Sequence, residues 1–206
     1  MKKQFIHLVA FGALLLSLGA CKKDYGPDSI GPLQDNKASI SVTVTNQDFF
    51  ERVPIVVAKG APIKPNDPVT SDSPFTITFQ IPADKGVIRE ITRVQTGTNG
   101  LVILQAGTAQ QAYNYTSAGG VVPIAGNNTN TISFTSSLKE YTAYRTRAAA
   151  ITDANGGAVN AGVAAVVLPN NTYGPQAPNQ LRYFFLLTLG DGTQIIPMEV
   201  RVRVTQ

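Results

Sequence analysis

Residues 75–81 read FTITFQI, with Phe75, Ile77, Phe79 and Ile81 on one side of a strict alternation and Thr76, Thr78 and Gln80 on the other. Successive side chains of a strand point to opposite faces, so this period of two predicts a buried apolar face and a watered polar one. Pro82, which cannot donate to a ladder, ends the segment. Residues 181–189, LRYFFLLTL, are by contrast almost continuously apolar. Gly190-Asp191-Gly192-Thr193 then supplies a hairpin turn, and in the return Met198, Val200, Val202 and Val204 alternate with Glu199, Arg201 and Arg203. A strand apolar on both faces beside one that alternates predicts a sheet centre next to a solvated edge.

The same punctuation runs through the rest of the chain. Residues 38–45 alternate, with Ile40, Val42 and Val44 against Ser39, Ser41, Thr43 and Thr45. Residues 46–52 read as a turn-like break holding Phe49 and Phe50, and 53–59 as a short strand interrupted by Pro54. Four prolines, Pro62, Pro65, Pro68 and Pro74, exclude regular helix from 60–74. Residues 87–96 place Val87, Ile88, Ile91 and Val94 at no single period, which predicts a bulged strand between Gly86 and Gly97. Residues 101–106 read as another short apolar strand, and 117–130 as a glycine- and asparagine-rich loop. A further strand follows at 131–136, with Ile132 and Phe134 inward, then a long run over 138–151 and a turn, TDANGG, at 152–157. Residues 163–168 are one more apolar run before a loop with Pro169, Pro175 and Pro178.

About nine strands and no convincing helix predict an all-β, antiparallel sandwich in one domain over 38–206. No period of about 20 to 50 residues repeats, which argues against propellers and solenoids. The aromatic-rich run of 138–151, with the aspartate-asparagine-glycine turn after it, resembles the penultimate strand and following turn of fibronectin type III and related immunoglobulin-like modules. That resemblance implies an immunoglobulin-like sandwich.

The start of the chain has a different character. Lys2 and Lys3 precede a mostly apolar run over 5–18, and Gly19 and Ala20 precede Cys21, the chain's one cysteine. The run is shorter than the roughly 20 residues that a bilayer crossing needs, so it reads as a signal peptide, residues 1–20. Leu18-Gly19-Ala20-Cys21 resembles the lipobox of bacterial lipoproteins. The resemblance implies that Cys21 becomes the first residue of the mature chain and carries acyl chains that bind the membrane. Lys22, where an aspartate would favour inner-membrane retention, implies the outer membrane of a Gram-negative envelope, with the leaflet open. Residues 21–37 carry prolines and glycines without periodicity and read as a lipidated flexible tether. Within it Asp28-Ser29-Ile30 resembles the acceptor of a bacterial O-glycosylation system, with plain linker as the alternative.

Charge and side-chain chemistry narrow the function. Loss of Lys2 and Lys3 with the leader takes Lys plus Arg from 17 to 15 against 13 acidic residues, a weakly basic balance with no basic stripe, so no nucleic-acid partner is expected. The single histidine, His7, lies in the leader. A mature chain without imidazole or free thiol is not expected to hold a histidine-dependent triad, a cysteine nucleophile or the usual zinc site, and no cofactor, metal or catalytic residue is expected. Carboxylates remain, but Asp84, Asp153 and Asp191 sit in turns that their side chains cap. The Asp153-Ala154-Asn155-Gly156 turn lacks the distal glutamate of a calcium-binding EF-hand loop. Tyr141 and Tyr144 read as packing residues, while Tyr113 and Tyr173, in loops, are the candidates for ligand contact. The leading expectation is a non-catalytic, membrane-anchored lipoprotein whose domain is an interaction or structural module with a protein partner. The alternative is a glycan-binding accessory lipoprotein of a polysaccharide-uptake system, and a carboxylate-dependent hydrolase comes third.

Overall fold

The computed structural model describes residues 40–59, 72–151 and 180–205, all within one compact unit, Lys37–Gln206. Twelve strands follow one another among the described residues: β1 (Thr43–Val44), β2 (Phe49–Glu51), β3 (Val53–Lys59), β4 (Pro74–Gln80), β5 (Ile88–Thr96), β6 (Tyr115–Thr116), β7 (Gly120–Val121), β8 (Ile124–Ala125), β9 (Thr131–Ser137), β10 (Gln180–Leu189), β11 (Gln194–Ile195) and β12 (Val200–Thr205). Two helices join them, α1 (Gly100–Ala106) between β5 and β6, and α2 (Leu138–Ala149) after β9. One sheet has the order β1-β4-β9; the larger has the order β2-β3-β12-β10-β5-β8, with β11 also on β10; β6 and β7 form a small ribbon. All pairings are antiparallel except β3 with β12.

The alternation of 75–81 is realised in β4, where Phe75, Ile77 and Phe79 are buried, with Ile81 buried just beyond its end. Its polar face pairs across the sheet, Thr76 with Thr135 at 3.1 Å and Thr78 with Ser133 at 2.9 Å between hydroxyl oxygens. Strand β1 stops after two residues because the Asn46 side chain continues its ladder, donating to the Thr76 carbonyl at 2.7 Å and accepting from the Thr78 amide at 2.8 Å. The inward rows of the two sheets share one core. Phe79 meets Phe185 of β10 edge-on at 4.7 Å between centroids, and Phe134 of β9 meets the same ring at 5.3 Å. Each such ring contributes about 1.5–3 kcal/mol through burial alone.

Strand β10 lies between β5 and β12, so residues 181–205 are part of the larger sheet and not an appended hairpin. Its pairing with β5 shifts register at Leu186/Leu187 and Thr188/Leu189, the irregularity that the broken period of 87–96 predicts. The expected solvated edge, β12, is instead an inner strand, paired to β3 on its other side with Val202 opposite Val56. Its charged row is neutralised locally: Glu199 accepts from Arg182 at 2.5 Å and from Arg201 at 2.7 Å, and Arg203 donates to Glu51 at 2.8 Å. Desolvation pushes the Glu199 carboxyl up, but the hydrogen bonds and charges of the two arginines outweigh it and hold the group below its ordinary range.

Several expectations need correction. Residues 101–106, read as a strand, lie in α1. Only Gly100 and Leu104, one turn apart, are buried, and Val102 is 67% exposed. Gly100 lies against the Phe184 ring so closely that a Cβ would fall 2.5 Å from its Cδ2, and Gly107, at φ 77°, closes the helix by donating to the Ile103 carbonyl. The run over 138–151 is also helical, so the strand implied by the fibronectin-like resemblance is α2. Ser137 caps it by accepting from the Glu140 amide at 3.1 Å, and Leu138, Tyr141, Tyr144 and Ala148 form its buried face. The break at 46–52 contains the short strand β2. Residues 60–71 and 152–179, including Asp153, the apolar run at 163–168 and Tyr173, lie outside the described residues, as do 1–39 with Cys21.

Candidate functional site

Tyr113 is the one proposed ligand-contact residue among the described residues, and it sits between α2 and the rings of β9 and β10. A short 3-10 turn, Ala109–Gln111, delivers it; its amide donates to the Val94 carbonyl at 2.8 Å. The next residue secures the loop. The Asn114 side chain accepts at Oδ1 from the Val94 amide at 3.0 Å and donates from Nδ2 to the Val122 carbonyl at 2.8 Å. The Tyr113 ring packs at 4.8 Å from Tyr144, 5.5 Å from Tyr183 and 5.9 Å from Phe134.

The hydroxyls beneath form a directed chain. A carboxylate only accepts, so the Ser136 hydroxyl donates to Glu140 Oε2 at 2.7 Å and accepts from the Tyr113 hydroxyl at 2.7 Å. Burial raises the Tyr113 phenol to about 12 and the Tyr141 phenol to about 12, and drives fully buried Tyr183 well above 10. All three are protonated across the physiological range and none is a base, and the buried Tyr183 hydroxyl has no hydrogen-bond partner among the described residues. Ser136 is buried, and its lone pair and proton are both engaged. The arrangement is suited to holding a helix in place.

Arg147 does the same from the far end of α2. Its Nη1 donates to the Gln110 carbonyl and its Nη2 to the Ala112 carbonyl, each at 2.7 Å, while the guanidinium lies over the rings of Tyr115 and Tyr144 at 5.4 and 5.1 Å. Tyr144 donates its hydroxyl to the Gln111 carbonyl at 3.0 Å. Outside this clamp an open cleft of about 390 Å³ runs past Tyr113, Asn114, Thr135, Glu140, Ala143 and Arg147. The Tyr113 and Tyr144 planes are inclined by 43° and Tyr144 is buried, so the pair makes no flat exposed platform.

Of the described turn aspartates, Asp191 caps its turn and Asp84 does not. Asp191 Oδ1 accepts from the Thr193 amide at 2.8 Å, a hydrogen bond that lowers its carboxyl, and Asp84 pairs with Lys85 at 3.3 Å in the 3-10 turn after β4. No group of three or more His, Cys, Asp or Glu able to hold a metal occurs among the described residues, and no described helix is long and apolar enough to cross a membrane. Sequence reading missed Asn114, Ser136, Glu140 and Arg147; the one available signal was the Ser137-x-x-Glu140 spacing of a capped helix start. The fold is all-β in its sheets, with two covering helices. No protein-family model matches the chain, and neither a search of curated proteins nor one of solved structures found a match.

Proposed function

We propose that this protein is a non-catalytic lipoprotein of the bacterial outer membrane, held by acyl chains on Cys21, whose β domain is an immunoglobulin-like interaction or structural module. The observation that carries the reading is Leu18-Gly19-Ala20-Cys21 at the end of an apolar run that two lysines precede. The side-chain inventory supports it: the single histidine and the single cysteine both lie within residues 1–21, and the Tyr113 and Ser136 hydroxyls, Glu140 and Arg147 are engaged in internal contacts. Two sheets facing across a shared core support the sandwich part of the reading. The test is metabolic labelling with a clickable palmitate analogue in a Gram-negative host, followed by membrane fractionation. The account expects label on the membrane-bound wild type and none on Cys21→Ala; an unlabelled wild type contradicts it.

The second reading, a glycan-binding accessory role, is favoured by the open cleft beside Tyr113. Ala143→Arg fills that cleft from an exposed helix position that tolerates arginine. Saturable binding on a glycan array that this change abolishes would establish the role; silence of the wild type across the array would remove it.

A further inference from the structure

Strands β1 and β2 are the outer strands of their two sheets, and a groove of about 190 Å³ opens beside them. Its lining includes Val42, Val44, Phe50, Pro54, Pro197 and Met198. Phe50 is 60% exposed, its neighbour Phe49 is 49% exposed and Met198 36%. Only two other large apolar side chains among the described residues, Val102 and Val122, are so exposed. The groove is flanked by the tip of the β2–β3 hairpin, where Arg52 sits in the left-handed region at φ 70°, a conformation that a long side chain rarely adopts. Glu51 is paired with Arg203, and Arg52 has no ion pair among the described residues. The rim therefore offers the Phe50 ring, a methionine and, among the described residues, a guanidinium without an ion pair, while Phe49 faces the other side of β2 against Arg203.

That combination fits the boundary between lipid headgroups and acyl chains, where aromatic rings settle and a basic side chain reaches phosphate. The chain itself says which surface is near. Val42 lines the groove, and 21 residues earlier stands Cys21, at most about 75 Å away with the intervening chain fully extended. We propose that the hairpin tip and the groove beside Phe50 dock onto the anionic phospholipid surface to which Cys21 ties the chain. This rests on the lipoprotein reading. The tether supplies a high local lipid concentration, so a patch too small to bind alone adds to the hold of the acyl chains and orients the domain.

The protein contains no tryptophan, so Phe50→Trp provides a single fluorophore at the groove and Val102→Trp one at an exposed apolar position on α1. Each full-length variant, purified from membranes, is reconstituted in phosphatidylcholine–phosphatidylglycerol vesicles with and without brominated acyl chains, and the palmitate label is read on the same preparation. The proposal expects a blue shift and at least about twofold bromine quenching of Phe50→Trp, with Val102→Trp unquenched. In the Phe50→Trp background, Arg52→Gln is expected to remove the difference between anionic and neutral vesicles. Acyl-labelled protein whose Phe50→Trp emission is no more quenched than that of Val102→Trp overturns the docking and leaves the anchor standing. Quenching of an unlabelled protein supports the docking and overturns the anchor. A blue shift that grows with protein concentration in the absence of lipid shows a second copy on the patch and overturns the proposal.

Discussion

The corner around Tyr113 and the rim around Phe50 are both rich in aromatic rings, and they are finished in opposite ways. At the corner, Tyr113, Tyr141 and Phe134 pack on Tyr183 and Tyr144 packs on Tyr113, and the hydroxyls of Tyr113 and Tyr144 and the Arg147 guanidinium each find an internal partner. At the rim, Phe49 and Phe50 stand about half exposed on an outer strand, with an arginine in a strained turn beside them. The Phe49 ring retains one internal contact, the Arg203 guanidinium at 5.2 Å. Rings that carry a satisfied polar handle belong to the architecture. Rings left bare beside an apolar groove are free for a partner.

The contrast makes graded predictions. The largest effect belongs to the corner: Tyr183→Ala removes the fully buried ring on which the others pack, and chemical denaturation should show a loss of about 3–5 kcal/mol. The corner should also fail under alkali. Tyr113 and Tyr141 titrate near 12 in the folded protein and near 10 once unfolded, so their stabilisation is complete below pH 10 and is lost as pH rises toward 12. Tyrosinate absorbance of the buried rings should appear together with loss of the near-ultraviolet circular dichroism signal; titration of all the tyrosines near 10 in a folded chain would break the description of the corner. A smaller effect is expected for Ser137→Ala, which removes the cap of α2 and should cost about 1 kcal/mol by thermal or urea unfolding. The smallest falls at the rim, where Phe50→Ser should leave stability within about 0.5 kcal/mol of wild type. A large loss there would show that Phe50 is a core residue and erase the distinction.

The elements most legible in the sequence are strands whose apolar residues alternate, run continuously or break period between bracketing glycines; 181–189 gives β10. The alternation of 75–81 and of 200–204 gives β4 and β12, and the broken period of 87–96 gives the irregular β5. The helices were hidden for identifiable reasons. In α1 the run Leu101-Val102-Ile103-Leu104 has strand composition, and it is helical because Gly100 allows close approach to Phe184 and Gly107 supplies the left-handed stop. In α2, Thr142 and Thr146 mask a helical stripe of Leu138, Tyr141, Tyr144 and Ala148, and both hydroxyls donate back to carbonyls one turn earlier. The place of β12 inside its sheet could not be read locally, since its alternation is the same whether arginines face solvent or meet Glu199 and Glu51. The candidate site was legible only as Tyr113; its partners come from β9, β10 and α2, which pairing and packing bring together.

Lipidation at Cys21 is decided by the intact mass and amino-terminal peptide of the full-length protein purified from Gram-negative membranes. The account predicts a chain that begins at Cys21 and carries the mass of several acyl chains on that residue. A chain that retains residues 1–20, or that begins elsewhere without acyl mass, would contradict it.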